Sequence, residues 1–465
     1  MFRLSLVLAA VALMVLTMGC PNPPPPDAGV GGGRGGGNGG GTGGGIAPFT
    51  VEFLDENARD AVYHAMALDP ATERVGVVYL TPAGTEMNQG HPDYFIKYVE
   101  WRAGAIVVPP ETIRTVQRFV GLSIAFDPIS GDPFVAHLGG APGFTPPDSI
   151  FWFQSDASLS RRSNGTWTET IVATSGDQVT CGNPVSDRGF LVGLWPAIVF
   201  DSTGRMYYGY RDGHGGQFPM QDWAGTDVEI WEGNAPPTTG RCAANGGNNK
   251  DAYGGHLRMV IAADDQPAII HDQMFGTADT NGINTIFQRR LMNGNWTPPS
   301  GSLVANPNTQ SGASLAWDPM EGYGIAFIER TSSRLGYISS ADGVTFNAVD
   351  PVFGSGSGGW YPSLAMDPIN HEPAIAFYVC STRTSVNEQS CNITEDELRV
   401  TQRISGNWRE TLVDTEGGFT PQLGFFTSPG RNGKRVIVYR MPPSVDPGTG
   451  LTVTNVGQLK IAVER

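Results

Sequence analysis

The side chains best suited to chemistry follow short apolar runs: Arg211-Asp212, His214, His271-Asp272, Glu329-Arg330 and Arg440. An arginine grips a carboxylate through two parallel hydrogen bonds, so this set suits a sugar acid or a peptide carboxylate. Tyr210 and Trp223 add flat faces on which a sugar ring can stack. His214 and His271 have the chemistry of a metal site or a lyase acid/base pair. Neither has cysteine or carboxylate neighbours at ligand spacing. A plainer expectation is that the arginines and carboxylates pair with one another. No glycine-rich phosphate loop, metalloprotease helix or nucleophile elbow occurs, so no cofactor, metal or catalytic residue is assigned.

The elements that position these residues repeat. Leu122-Ser-Ile-Ala-Phe-Asp127-Pro and Ser363-Leu-Ala-Met-Asp367-Pro carry one phrase, which returns before Asp69, Asp201, Asp264 and Asp318. Each copy is an apolar strand, a turn opened by the aspartate, and a second apolar strand. Six acids in register invite a metal, but each heads a turn where its carboxylate can accept backbone amides, so a structural role is expected. A second phrase, Asn164-Gly-Thr-Trp167, Asn293-Gly-Asn-Trp296 and Ser405-Gly-Asn-Trp408, has hairpin chemistry and a packing tryptophan.

Together the phrases predict an all-β fold: a β-propeller over residues 46–465 with seven blades of four antiparallel strands. The last unit lacks an outer strand. Phe49-Thr-Val-Glu-Phe-Leu-Asp55 resembles Trp408-Arg-Glu-Thr-Leu-Val-Asp414, so residues 49–55 are expected to complete it and close the ring. Closure removes open sheet edges. Six blades are the alternative, because the third unit is irregular after Trp231. In such a wheel, the loops between second and third strands share one face with the blade connections. Thr81 to Asp93, Gly139 to Asp148, Asp212 to Asp227, Asp272 to Asn284, Cys380 to Glu397 and Met441 to Gly457 are long, as are connections Ser175 to Phe190 and Gly233 to Gly255. Long loops gathered on a rigid scaffold make that face the expected working surface.

Ser340-Ala-Asp342-Gly343-Val-Thr-Phe346 resembles the Asp-box of sialidase-like repeat propellers, a structural hairpin in that family. The resemblance implies the fold and does not reach an activity. Sialidases use three arginines, a Tyr-Glu pair and an Asp, and no matching set stands out here.

Residues 1–19 read as a signal peptide: Arg3, an apolar stretch from Leu4 to Leu16, then a small-residue end. Gly19-Cys20 resembles the bacterial lipobox, which implies lipidation of Cys20. Residues 20–45 form a proline- and glycine-rich tether too poor in apolar side chains to fold. Pro21 in place of an aspartate points to the outer membrane. Of the remaining cysteines, Cys181 with Cys242 and Cys380 with Cys391 are the expected disulfides. The formal net charge of −15 argues against nucleic acid as a partner. The resulting expectation is a monomeric, lipid-anchored cell-envelope protein, bound to the membrane through Cys20. Its propeller binds a glycan or an envelope protein without catalysis. The competing class is a polysaccharide-active enzyme, a glycosidase or lyase, working in the axial pocket.

Overall fold

The computed structural model describes residues 48–58, 63–88, 91–116, 121–139, 156–174, 181, 192–212, 226–245, 251–275, 283–299, 303–305, 312–329, 334–353, 358–379, 397–415, 417–441 and 458–465. The leader, Cys20 and the tether lie outside them, as do His214, Trp223, Arg330, Cys380 and Cys391.

The strands form seven antiparallel sheets of four. The first blade runs outward as β2 (His64–Asp69), β3 (Arg74–Asn88), β4 (His91–Arg102) and β5 (Ala105–Val116). The second is β6 (Ser123–Phe126), β7 (Pro133–Gly139), β8 (Asp156–Ser163) and β9 (Thr166–Ala173). The third is β10 (Val192–Phe200), β11 (Met206–Asp212), β12 (Asp227–Gly233) and β13 (Thr239–Ala244). In the fourth come β14 (Asp251–Ile261), β15 (Pro267–Phe275), β16 (Ile283–Arg289) and β17 (Val304–Ala305). The fifth holds β18 (Ser314–Asp318), β19 (Gly322–Glu329), β20 (Arg334–Ser340) and β21 (Asp350–Phe353). The sixth is β22 (Gly358–Met366), β23 (Pro373–Val379), β24 (Glu397–Ile404) and β25 (Asn407–Asp414). The seventh takes β26 (Phe419–Phe425), β27 (Arg435–Arg440) and β28 (Leu459–Glu464), and its outer strand is β1 (Phe49–Asp55).

The expected closure is therefore present, with β1 antiparallel to β28 from Phe49↔Glu464 to Asp55↔Leu459. Trp101 Nε1 donates to Glu52 Oε2 at 2.9 Å, which ties the closing strand to the first blade. Seven apolar clusters fill the seven wedges between neighbouring blades. Val78, Leu80 and Tyr98 of the first blade meet Leu122, Ile124 and Val135 of the second, for example. Second strands are covered on both sides, so every residue of β23 and β27 is buried. Each fully buried aliphatic side chain there contributes about 1.5–3 kcal/mol.

Two sequence readings need correction. Residues 81–93 are not a loop, since β3 and β4 extend through most of them as a paired ribbon. The stretch from Gly233 to Gly255 is not all connection, since it contains β13, which completes the third blade of the expected seven.

The six repeated aspartates act alike. In each, Oδ1 accepts the amide two residues on: Ala71, Ile129, Thr203, Gln266, Met320 and Ile369, at 2.7–3.2 Å. A second stitch accompanies them. The serine four residues before three of these aspartates accepts an inner-strand amide of the following blade: Ser123 from Ile198, Ser314 from Leu364 and Ser363 from Leu423, at 2.9–3.1 Å. The Asp342 turn joins β20 to β21, where Asp342 Oδ1 accepts Val344 N at 2.8 Å and Thr345 N at 2.9 Å.

Candidate functional site

Four inner strands start with the same distortion. In β10, β14, β22 and β26 the ladder gains one residue over its partner strand, between Leu194 and Ala197, Gly255 and Arg258, Trp360 and Ser363, and Phe419 and Gln422. The first unpaired residue has a left-handed backbone in every case: Trp195 (φ 46°), His256 (48°), Tyr361 (53°) and Thr420 (50°). A glycine with positive φ stands two residues earlier, Gly193, Gly254, Gly359 and Gly418. At Gly193 the reason is contact as well as φ, because a Cβ would lie 2.8 Å from Ala157 Cα of the preceding blade. A non-glycine residue in this region costs on the order of 1–3 kcal/mol, and such bulges re-aim side chains.

The bulges adjoin the ends of the second strands, since Leu194 pairs with Arg211, Gly255 with Asp272 and Phe419 with Arg440. The distortions and the expected working residues therefore share one end of the wheel. They form partly linked groups around the axial mouth. Trp195 and His256 rings lie 5.6 Å apart, and Tyr361 and Phe419 rings 4.7 Å apart. Thr420 Oγ1 is 3.4 Å from His64 Nδ1 of the first blade. Tyr63, Trp195, His256, Tyr361 and Thr420 are all half-buried, so they line the mouth without vanishing into the core.

Polar chemistry concentrates between the third and fourth blades. His256 Nδ1 bonds Asp272 Oδ2 at 2.8 Å. Arg258, two residues on, is exposed to water although much protein surrounds it. That enclosure lowers its pKa, and the Asp272 carboxylate and Tyr63 phenol offset part of the effect. Arg211 stacks over the Trp195 ring at 5.2 Å and donates through Nε to Thr226 Oγ1 at 3.1 Å. His271 is buried, 3.0 Å from Gln288 Oε1 and edge-on to Tyr253, and burial lowers its pKa. Burial, with Arg440 nearby, pushes His64 down to about 3.

Of the residues singled out in the sequence, Arg211, Asp212, His271 and Asp272 share the third and fourth blades, whereas Glu329 and Arg440 belong to the fifth and seventh. Tyr210 is 1% exposed and cannot stack on a ligand. Its hydroxyl donates to Glu229 Oε2 at 2.6 Å and accepts Trp231 Nε1 at 2.9 Å, inside the wedge between the second and third blades. Arg211, Asp212 and His271 are also 1% exposed and act beneath the surface. Glu329 pairs with Arg334 at 3.2 Å. Arg440 lies over Phe419 at 5.0 Å, with Nε 3.4 Å from Thr420 Oγ1. Arg211, Arg258 and Arg440 are thus held by different partners. Among the described residues, no three His, Cys, Asp or Glu side chains gather as metal ligands would.

Trp195, His256, Arg258, Tyr361 and Thr420 were missed by the sequence reading. For all but Arg258 the signal was the spacing Gly-x-X at the start of an inner strand: Gly193-Leu-Trp195, Gly254-Gly-His256, Gly359-Trp-Tyr361 and Gly418-Phe-Thr420. Cys181 and Cys242 are bonded, with Cα atoms 4.6 Å apart. This fastens the chain ahead of the third blade to that blade's outer strand, β13.

The sheets define a seven-bladed β-propeller with four antiparallel strands in each blade. No family model matches the chain, and no curated protein aligns with it. Solved structures with a similar fold include the Hadza microbial sialidase Hz136, at 12% identity over 80% of this chain and 73% of that one, TM-score 0.45. A NanB sialidase variant from Streptococcus pneumoniae aligns at 13% identity over 88% and 68%, TM-score 0.44. An α-L-arabinofuranosidase from Fusarium graminearum aligns at 12% identity over 88% and 95%, TM-score 0.43. At these identities the likeness concerns the fold alone.

Proposed function

We propose that the chain is a cell-envelope lipoprotein, anchored in the outer membrane through Cys20, whose propeller binds a glycan at its axial mouth without transforming it. The observation that carries this reading is the set of four left-handed bulges holding Trp195, His256, Tyr361 and Thr420 around one opening. Strain repeated at one end of a scaffold, on half-buried aromatic and polar residues, supports a binding role. Arg258 supplies a water-exposed cation for a sugar carboxylate. The non-catalytic part rests on how the acids are occupied: Asp272 by His256 and Glu329 by Arg334. Tyr210 and Glu229 have the chemistry of an activated phenol, but at 1% and 3% exposure no substrate reaches them.

The test is a glycan array probed with residues 46–465, followed by a product assay on each hit. Binding that disappears in Tyr361→Ala and Trp195→Ala, with the glycan recovered intact, is the expected result. Cleavage of a bound glycan would replace this reading with the enzymatic one. Labelling with an alkyne-palmitate, lost in Cys20→Ser, checks the anchor.

A further inference from the structure

The three Gly-x-Trp hairpins invite an internal comparison. Trp167 Nε1 donates to Glu111 Oε1 of the preceding blade at 2.6 Å, and its ring meets Tyr98 edge-on at 5.3 Å. Trp408 repeats this with Asp350 Oδ2 at 2.9 Å and Tyr337 at 5.6 Å. In both wedges a carboxylate from the preceding blade's outer strand clasps the indole. Trp296 occupies the corresponding place in the fourth blade, but the outer strand facing it, Thr239-Gly-Arg-Cys-Ala-Ala244, contains no carboxylate. The nearby acid, Glu232, lies one strand further in. It is taken by Arg205 at 3.2 Å, Arg290 at 2.9 Å and Arg241.

The wedge is correspondingly open. A solvent-accessible cleft of ≈ 600 Å³ lies there, lined by Gly240, Arg241, Ala243, Asn295, Trp296 and Pro298 among others. That size falls within the range of about 300–1,000 Å³ common to small-ligand sites. Trp296, half-buried and packed against the wedge core, is the one aromatic side chain in the lining, Asn295 is exposed, and the Arg241 side chain is 41% exposed. Glu232 holds that guanidinium at the cleft and leaves it further donors, since arginine carries five N–H groups.

We propose that this rim cleft between the third and fourth blades is a second ligand site, and that it takes a pyranose sugar. The apolar face of the ring lies on Trp296, while hydroxyl or carboxylate oxygens accept from Arg241 and Asn295. One aromatic platform among polar donors fits a saccharide better than a peptide, which needs apolar pockets for its side chains. The site stands apart from the axial mouth. It lies on the outer strands, beside the hairpin turns of the opposite end, and does not depend on the mouth binding anything.

The experiment is saturation-transfer difference NMR on the full detergent-solubilised chain. The probes are millimolar methyl glycosides of glucose, galactose, mannose, fucose, N-acetylglucosamine and glucuronic acid. Transfer to at least one of them is expected, falling about tenfold or more in both Arg241→Ala and Asn295→Trp. The second variant fills the cleft from an exposed position, and an unchanged thermal midpoint shows that neither variant acts by unfolding. Because the mouth is itself proposed to bind glycans, the fall is read in a Trp195→Ala/Arg258→Ala background, where the rim signal should remain until Arg241→Ala or Asn295→Trp is added. No transfer to any probe, transfer unaffected by both rim variants, or transfer abolished by the mouth variant would each overturn the proposal.

Discussion

The two ends of the wheel follow different rules. At the hairpin-turn end the same solution recurs: an aspartate capping the amide two residues on, in six blades, supported by the Asp69–Arg74 ion pair at 2.8 Å and the Asp318–His371 hydrogen bond at 2.9 Å. At the axial mouth the backbone distortion recurs in four blades, but the side chains it carries vary from blade to blade. The inner strand begins with Tyr63, Gly121, Trp195, His256, Gly312, Tyr361 or Thr420, some on bulged backbone and some not. One end meets its hydrogen-bonding demands with local, repeatable chemistry, while the other holds differing side chains in costly conformations. Repetition marks the scaffold, while the mouth is where the side chains differ from blade to blade.

Acid titration separates the two ends and should give the largest effect. Burial, helped by Arg440, brings His64 down to about 3, and burial brings His137 down to about 4, against 6.5 in an unfolded chain. Both sit toward the mouth end. Between those values and 6.5 the unfolded chain binds protons that the folded one refuses. Their stabilisation is therefore complete above pH 6.5 and declines as pH falls toward 3–4, by at most about 1.4 kcal/mol per histidine per pH unit. At the other end, burial raises the pKa of Asp69, but Thr72, Arg74 and the Ala71 amide outweigh it and leave it below 3.8. Burial likewise opposes, and His371 with the amides of Met320 and Glu321 overcomes, the shift at Asp318. That contribution is present above 3.8 and is lost only below it. Denaturation curves in guanidinium should thus weaken in two stages. His64→Gln combined with His137→Gln should shrink the upper stage, to which buried His271 also contributes, and leave the lower one. A single stage below pH 4 would erase the distinction.

A smaller effect should come from Trp408→Ala. This empties the wedge beside Tyr337 and strips Asp350 of its indole donor. The expected loss is about 3 kcal/mol, the low end for a truncated buried tryptophan because Trp408 is only partly covered. Glycan binding at the mouth should not change. Urea midpoints and binding isotherms on the same preparation check both halves.

How much of this was legible follows the same division. The aspartate phrase, the Asn-Gly and Ser-Gly hairpins and the strand at residues 49–55 are local or repeated signals, so blade number and ring closure could be read from them. Asn164-Gly165 and Ser405-Gly406 adopt the two positive φ angles that such turns require. Tyr210 was misplaced because an aromatic at the end of a second strand looks equally fit for a ligand or a wedge. Only the cross-strand partner Glu229 decides. The extended ribbon of β3 and β4 was hidden by Pro82, Gly84 and Gly90, which read as loop. Gly-x-X at the start of an inner strand was visible, but a bulge is defined by register against a partner, which the sequence does not display.

The least disruptive change should be the most informative about the mouth. Arg258 is exposed to water, and among the described residues its guanidinium donates to the carbonyl of its neighbour Leu257 at 3.2 Å. It bears on Asp272 and Tyr63 only through their fields. Arg258→Ala should therefore shift the unfolding free energy by no more than about 0.5 kcal/mol, as for substitutions that break no buried network. Affinity for a carboxylated saccharide should nevertheless fall about tenfold or more, the scale of one charge-assisted pair. Arg258→Lys keeps the charge but not the planar fork, and should recover only part of the loss. A stability change as large as that of Trp408→Ala would instead make Arg258 a scaffold residue, and the contrast between the two ends would fail at the position where it is sharpest.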